Sequence, residues 1–272
     1  MKKLIAMLLA LVMVLALAAC APASKTPATT APAATEGTQA ATEGTTEATE
    51  GTEAVTGVMT YEQYAAADLK SAVIIESCIQ AVESWWDGSM HLYLQDEVGA
   101  YYVYQLNCTE EESKALVPGV WVRINGYKDA WSGEVEIIDA TYEIIEGEAV
   151  KIEAADATKV LGSEKLADMM NYLVSFDSLT VAASKDAEGN EAAFLYKWDG
   201  SGQQGDDLYF NVTLGDNTYT FSVNAYMSGT GADSEVYKAV EALQIGDKID
   251  VEGFLYWYEG AQPHITAVTA AA

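Results

Sequence analysis

The chain has 272 residues and a formal net charge of −27, from 14 basic and 41 acidic side chains. At roughly 100–200 residues per domain, this length allows one or two folded domains. The negative charge argues against binding to nucleic acid or anionic lipid, because both attract surfaces rich in lysine and arginine. Three cysteines are too few for a disulfide-dense framework, and two histidines leave little scope for histidine-based metal or triad chemistry.

The N-terminus has the pattern of an export signal. Lys2 and Lys3 precede the uncharged run 4–19, which is shorter than the ~20 apolar residues of a membrane-spanning helix. The run ends in Leu17-Ala18-Ala19-Cys20, which resembles the lipobox of bacterial lipoproteins. That resemblance implies cleavage before Cys20, acylation of its thiol by palmitate or a similar chain, and anchoring on the extracytoplasmic face of a cell membrane. The alternative is an ordinary secretory signal followed by a chance cysteine.

A low-complexity segment follows the cysteine. Residues 21–57 consist mainly of Ala, Thr, Glu, Gly and Pro, and a Thr-Glu-Gly-Thr unit recurs every seven residues from Thr35. The units carry no Leu or Ile that a coiled coil could bury, and such a composition cannot form a core. We therefore expect a signal peptide over residues 1–19 and a lipidated cysteine with a disordered spacer over residues 20–57. Spacers of this kind resemble those that lift lipoproteins away from the membrane of Gram-positive bacteria.

An internal repeat organises the rest of the chain. Short alternating apolar runs, separated by Gly, Asp and Asn, predict many short strands from residue 58 onward. Residues 116–127 align without a gap with residues 243–254, so that Gly126 matches Gly253. The same offset of 127 continues through Trp131 and Tyr258. The repeat predicts two copies of one folding unit.

Each copy contains two or three predicted strands, a short helix and two further strands. Thr109-x-x-Glu112 has the form of a capping box and begins the first copy's helix, predicted to run to residue 117, while the second copy's helix is predicted over residues 235–243. A helix between strands three and four of a five-stranded unit resembles the OB fold. The expected fold class is therefore mainly β, with two tandem OB-like five-stranded Greek-key barrels after a disordered N-terminal tether.

The predicted domain boundaries follow from the repeat. The first OB-like domain spans residues 58–148 and the second spans residues 173–272, with a helical connector over residues 149–172. Ser163 is placed to cap a connector helix over residues 164–173, and Thr60-x-x-Gln63 has the form of a helical lead-in to the first copy. Whole chains of this kind resemble uncharacterised Firmicutes-type lipoproteins, which implies a location but no activity.

Aromatic side chains and neighbouring aspartates concentrate in the loops where OB barrels bind ligands. Aromatic faces stack on bases, sugar rings and peptide side chains. The predicted ligand-binding residues are Trp85, Trp86, Asp87, Tyr127, Trp131, Trp198, Asp199, Trp257 and Tyr258. The alternative is that these rings close the barrel ends as part of the core.

The charge of each copy narrows the expected partner. Residues 58–152 carry a net charge of −12 and residues 153–272 carry −13, and only Lys128 and Lys197 lie near the rings in sequence. A groove for single-stranded nucleic acid needs basic residues between its aromatic rings, so we expect no nucleic-acid partner. A sugar, peptide or cationic ligand suits rings flanked by aspartate.

The remaining candidates carry little chemical signal. Asp186-Ala-Glu188-Gly-Asn190 alternates oxygen ligands as calcium loops do, but its glycine is misplaced and a solvated loop is the favoured interpretation. His91 and His264 have no partner at metal spacing, and we expect them to be structural or exposed. Cys78 and Cys108 are expected to be buried thiols, with a disulfide as the alternative.

These observations give three hypotheses of function. The leading one is a lipid-anchored, non-enzymatic binding module for an extracellular sugar, peptide or protein, without a cofactor or metal. The second is a structural or envelope-assembly protein whose rings are core. The third is a hydrolase or metal-dependent enzyme, although no catalytic sequence motif supports it.

Overall fold

The computed structural model describes residues 57–271. The predicted signal peptide, the lipobox at Cys20 and the spacer up to residue 56 lie outside the described residues. Among the described helices, none is long and apolar enough to cross a membrane.

Five strands close the first barrel in the order β1-β2-β3-β5-β4. They are β1 (Ala72–Val82), β2 (Ser89–Gln95), β3 (Ala100–Asn107), β4 (Trp121–Trp131) and β5 (Glu134–Ile145). Helix α1 (Tyr61–Ala66) precedes the barrel, and helix α2 (Glu110–Ser113) lies between β3 and β4. This strand order, with a helix between the third and fourth strands, is that of the predicted OB-like barrel.

The second barrel repeats this order with β7 (Leu173–Ala182), β11 (Leu208–Leu214), β12 (Asn217–Val223), β14 (His264–Ala270) and β13 (Lys248–Phe254). Helix α3 (Glu235–Glu241) lies between β12 and β13. Two-residue strands complete the set: β6 (Ala155–Asp156), β8 (Ser184–Lys185), β9 (Glu191–Ala192) and β10 (Leu195–Tyr196). The prediction of a mainly β chain with two tandem OB-like barrels is confirmed.

Three of the predicted helix starts, those of α1, α2 and α3, are confirmed. Thr60 and Thr109 each form a complete capping box with the residue three positions later, and the Ser234 hydroxyl accepts a hydrogen bond from the Tyr237 amide at 3.2 Å. Helix α2 is a single turn that ends at Ser113, not at residue 117 as predicted. None of its four residues is buried, and the fully buried Leu116 follows it outside the helix.

The connector differs from the prediction. Residues Glu164–Met169 form a 3₁₀ helix, and Ser163 does not cap it. The Ser163 hydroxyl instead donates to the Val160 carbonyl at 2.8 Å. Asn171 then adopts a left-handed φ of 70°, so the chain leaves the helical region before β7 begins at Leu173.

Each barrel has its own apolar core, and the repeated glycine marks the same bend in both. A Cβ on Gly126 would lie 2.8 Å from the Ile138 carbonyl oxygen, and one on Gly253 would lie 2.4 Å from the His264 carbonyl oxygen. Strand register shifts at both positions, as expected for a bulge that curves a barrel strand. These glycines are therefore required by close backbone approach, which explains why the repeat contains them.

The two predicted thiols lie in the first barrel. Cys78 is fully buried and Cys108 is 8% exposed, and both are free. Burial, and then the charge of Glu112, raises the pKa of the Cys108 thiol, so this cysteine is held in its neutral form.

Candidate functional site

The two barrels contact each other along the end of β1. Glu83 forms an isolated antiparallel bridge with Met227 of the second barrel. The Ser84 amide and hydroxyl both donate to the Tyr226 carbonyl, at 2.8 and 3.0 Å. Ala81, Tyr93 and Tyr102 from the first barrel form a separate apolar cluster with Met227 and Phe254 from the second.

A second contact lies at the β4–β5 turn. Glu134, whose side chain is fully buried, accepts a hydrogen bond at Oε2 from the Trp257 amide at 2.7 Å. The Asn171 side-chain amide donates to the Val135 carbonyl at 3.0 Å. Together with the β1 contact, this joint fixes the barrels on both sides of the space between them.

Residues that are equivalent under the repeat meet at this joint. The Glu259 amide donates to the Ser132 carbonyl at 2.8 Å, and the rings of Trp131 and Tyr258 lie 5.3 Å apart. Each of these pairs is separated by the repeat offset of 127 residues. Contact between equivalent positions places both pairs near the axis that relates one copy to the other.

Between the two contacts lies a cleft of about 600 Å³, here called the inter-barrel cleft. The first barrel lines it with Glu83, His91, Tyr102, Tyr104 and Trp131, and the second with Trp198, Asp207, Tyr209, Ser222, Asn224, Tyr256, Tyr258, Gln262 and His264. Its volume is in the range of small-molecule sites, roughly 300–1,000 Å³. Both barrels are needed to form it.

A hydrogen-bonded group of polar side chains forms the floor of the cleft on the first barrel's side. Glu83 Oε2 lies 3.0 Å from His91 Nδ1, and the Tyr102 hydroxyl lies 2.8 Å from the same nitrogen. Burial pushes the pKa of Glu83 upward, but the hydrogen bond and charge of His91 outweigh it and lower the pKa below its ordinary value. Glu83 is therefore an ionised carboxylate near neutral pH.

His264 extends this floor from the second barrel. Its Nδ1 lies 2.6 Å from the Tyr93 hydroxyl, which in turn donates to Glu83 Oε1 at 3.3 Å. Burial lowers the pKa of His264 to about 4, so its imidazole is neutral at physiological pH. The Tyr256 ring stacks on it at a centroid distance of 4.4 Å.

The mouth of the cleft consists of exposed aromatic rings. Trp198 is 68% exposed, Trp131 53% and Tyr258 43%. The side chains that line the cleft include two carboxylates, Glu83 and Asp207, but neither lysine nor arginine. The cleft therefore combines open ring faces with negative charge.

A separate groove of about 610 Å³ lies on the first barrel alone, and we call it the first-barrel groove. Trp86, 81% exposed, and Tyr104 face it together with Asp87. Asp129, Glu136 and Asp139 also line it, so it is strongly acidic.

The predicted ligand-binding residues are thus divided among several places. Trp131, Trp198 and Tyr258 meet in the inter-barrel cleft, and Trp86 and Asp87 lie in the first-barrel groove. The other four line neither space. Trp85 packs on the first core and donates to the Cys108 carbonyl, and Trp257 packs on the second core. Tyr127 lies on β4, and Asp199 accepts hydrogen bonds from Ser201.

The polar floor was missed by the sequence analysis. Glu83 is one of 41 acidic residues, and His91 and His264 occupy non-equivalent strands of the two copies, so no pattern joins them. Their proximity depends on how the barrels dock. The only available signal was that Glu83 lies two residues before the predicted aromatic residues Trp85 and Trp86.

The loop considered for calcium is closed by its own hydrogen bonds. Asp186 Oδ1 accepts from the Glu188 and Asn190 amides at 2.9 and 2.8 Å, within the turn between β8 and β9. Across the described residues, no group of three or more His, Cys, Asp or Glu is placed to hold a metal ion.

No protein-family model matches the chain, and a search of curated proteins gives no match. Among solved structures it is similar to a murine DNA-binding protein bound with double-stranded DNA, at 12% identity and a TM-score of 0.33, covering 73% of this chain and 96% of that one. It is also similar to the Ifi202 HINa domain in complex with 20-bp double-stranded DNA, at 12% identity and a TM-score of 0.32, covering 72% and 92%. A third is a deletion mutant of the single-stranded DNA binding protein from Thermus aquaticus, at 13% identity and a TM-score of 0.22, covering 74% and 94%.

These comparisons contradict the predicted function and partner. We expected a module for an extracellular sugar, peptide or protein and no nucleic-acid partner, yet the similar structures are of DNA-binding proteins. The exclusion relied on net charge and on the scarcity of lysine and arginine near the rings in sequence. Net charge describes the field of a whole surface and does not determine what one groove can contact. At 12–13% identity the similarity concerns the fold, so the ligand of this chain has to be argued from its own side chains.

Proposed function

We propose that this chain binds a small organic molecule in the inter-barrel cleft. The observation that carries the proposal is the cleft itself, in which rings from both barrels surround about 600 Å³ above a fixed polar floor. A mostly aromatic wall with a few convergent polar groups is the usual composition of a small-molecule site. The proposed site lies between the barrels and includes three of the residues predicted from the sequence, Trp131, Trp198 and Tyr258.

The arrangement is ready for a ligand without rearrangement. The neutral His264, the Tyr93 hydroxyl and Glu83 satisfy one another, so none has to be released before a ligand enters. A site ordered in advance loses less conformational entropy on binding. The exposed rings of Trp131 and Trp198 would gain the buried area that favours binding.

Tryptophan fluorescence tests the proposal directly, because Trp131 and Trp198 lie in the cleft. We expect members of a small-molecule library to change the emission of the full chain and to raise its melting temperature. Trp198→Ala should abolish the binding, whereas Trp86→Ala, which removes an exposed ring outside the cleft, should leave the affinity unchanged. Ligands that bind equally well to Trp198→Ala, or a library with no ligand at all, would count against the cleft.

A single-stranded oligonucleotide is the second candidate, favoured by the first-barrel groove. Trp86 and Tyr104 present ring faces there, and Tyr104 lies on β3, on the side of an OB fold that receives oligonucleotides. Four carboxylates line the same groove, so contact would involve bases and not phosphates. Salt would screen the repulsion and strengthen binding, the reverse of the usual salt dependence.

Fluorescence anisotropy of a labelled oligothymidylate tests this candidate. The expected result is binding that increases between 50 and 300 mM salt, which is lost in Trp86→Ala and retained in Trp198→Ala. The two variants therefore exchange roles between the two assays. Absence of binding at every salt concentration removes the candidate.

We also propose that the chain is exported and anchored through lipid on Cys20. Support comes from the sequence Leu17-Ala18-Ala19-Cys20 after a charged and then apolar N-terminus. In a Gram-positive bacterial host, labelled palmitate should be incorporated into the full chain, and the chain should partition into the detergent phase. Cys20→Ala should lose both properties, and an unlabelled wild-type chain would refute the anchor.

A further inference from the structure

We propose that the ligand of the inter-barrel cleft is an organic cation, an ammonium group held among the aromatic rings and facing Glu83 and Asp207. This inference rests on the proposed function and specifies the class of ligand that the same site recognises. It follows from the charge, the ring faces and the unused carboxylate oxygen of the cleft.

The carboxylates make the cleft negative. Glu83 is ionised, and its two oxygens face His91 Nδ1 at 3.0 Å and the Tyr93 hydroxyl at 3.3 Å. Asp207 uses Oδ1 to accept the Ala225 amide at 2.8 Å, and no described residue donates to its Oδ2. Since no lysine or arginine lines the cleft, an incoming cation would meet no competing basic side chain apart from the imidazole of His91.

The two carboxylates also interact unfavourably with each other. Burial raises the pKa of Asp207, and the nearby charge of Glu83 raises it further. A cation between them would relieve that repulsion and favour the ionised form of Asp207. The chain as a whole, at −27, would also draw a cation toward the cleft.

The rings supply the rest of the recognition. An ammonium group is attracted to the face of an aromatic ring within about 6 Å, most strongly to tryptophan. Trp131 and Tyr258 already lie beside each other at the mouth, with Trp198 exposed nearby in the same cleft. Several ring faces around one cavity are the arrangement in which quaternary ammonium groups are bound.

A pair of probes with the same shape separates charge from size. Choline carries a quaternary nitrogen, and 3,3-dimethylbutan-1-ol has a neutral carbon at that position. We expect choline to quench the tryptophan fluorescence of the full chain and to bind at least about tenfold more tightly than the neutral probe, as attraction to rings and carboxylates requires.

Substitutions locate the origin of the selectivity. Asp207→Asn keeps the acceptor for the Ala225 amide and removes the charge. It should weaken the binding of choline severalfold and leave the affinity for the neutral probe unchanged. Asp87→Asn is the matched control, because Asp87 lies in the first-barrel groove and not in the cleft. Asp87→Asn should change the affinity for neither probe. Trp198→Ala should weaken choline binding regardless of the charge at residue 207.

The outcomes distinguish this inference from the proposed function. If choline and its neutral isostere bind with equal affinity, or if Asp207→Asn leaves the affinity for choline unchanged, the proposal of a cation is wrong, while the proposal of a ligand in the cleft is kept. If choline does not bind but a neutral library member binds and depends on Trp198, the inference is likewise overturned and the function is kept. If nothing binds in the cleft, the proposed function fails first.

Discussion

Glu134 offers a quantitative test of how the two barrels are joined. Its side chain is fully buried at the β4–β5 turn, where Oε2 accepts the Trp257 amide while Oε1 has no hydrogen-bond partner. The side-chain oxygen of the neighbouring Asn171 is buried and unpartnered as well. A proton on Glu134 would remove the desolvation penalty of a buried carboxylate whose second oxygen has no donor.

The pKa supports that assignment. Burial raises the pKa of Glu134 from 4.5 to about 8, against the lowering effects of the Trp257 amide and Asn171. Because the folded pKa is raised, the folded chain keeps a proton that the unfolded chain has lost. The stabilisation from this proton is therefore fully present below the pKa of the unfolded chain and is lost as the pH rises through the pKa of the folded chain. The free energy of unfolding falls by about 5 kcal/mol over the whole range and by roughly 2.5 kcal/mol between pH 5 and pH 7.

Glu134→Gln should remove this dependence. A glutamine carbonyl can accept the Trp257 amide, and its NH₂ group takes the place of the protonated oxygen, so the joint is kept without a titrating proton. Urea unfolding of both proteins at pH 5, 6, 7 and 8 gives the comparison. We expect Glu134→Gln to gain roughly 2.5 kcal/mol relative to wild type between pH 5 and pH 7. Glu136 titrates in both proteins, so parallel stability curves would refute a protonated Glu134.

Three further substitutions test the fold around the cleft. Gly253→Ala should cost more than about 2 kcal/mol, because its Cβ would meet the His264 carbonyl oxygen at 2.4 Å, while Gly231→Ala, with its nearest atom at 3.5 Å, should be tolerated in the same urea titration. Tyr93→Phe leaves the buried imidazole of His264 without its partner and should cost about 1–3 kcal/mol, and a loss under 0.5 kcal/mol would contradict the role of the hydroxyl. Lys128→Met removes a donor to three carbonyls at the end of α1, at 2.8–3.0 Å, and should speed hydrogen exchange in that helix; unchanged exchange would show that packing alone holds it.

The barrels were predictable because each local signal agrees with the repeat. Capping boxes at Thr60 and Thr109 mark helix starts through chemistry contained in four residues. The paired glycines Gly126 and Gly253 mark the bulges of two homologous strands, and their spacing relates one barrel to the other. Signals of this kind are local in sequence, so they can be interpreted without knowing the tertiary structure.

The connector was mispredicted because its local signal competes with another bond. Ser163 is a good N-cap residue, but its hydroxyl donates backward to the Val160 carbonyl and not to the helix that follows. The backbone of Met170 then turns to a ψ of 137°, which ends the helical segment at Met169, four residues earlier than expected. Neither choice is visible in the residue types alone.

Only part of the candidate site was predictable from the sequence, because the rest depends on contacts between distant residues. Exposed aromatic rings at Trp131, Trp198 and Tyr258 follow from their loop positions, so the sequence could identify them as unusual. Glu83 and His264 became functional candidates only through contacts between the barrels, which involve residues far apart in the chain. Net charge could not identify a partner either, because it does not distinguish a carboxylate in the cleft from one on an outer strand.

The repeat nevertheless contains information about the cleft that spacing alone does not reveal. Trp131 and Tyr258 occupy equivalent positions in the two copies and lie against each other, as do Ser132 and Glu259. Contact between equivalent positions places both pairs near the axis that relates the two copies, so the mouth of the cleft lies close to that axis. The floor does not obey it, since the two histidines come from non-equivalent strands. The duplicated loops thus contribute the paired rings of Trp131 and Tyr258, while residues that differ between the copies, Glu83 in the first and Asp207 in the second, provide the negative charge that the proposed cation requires.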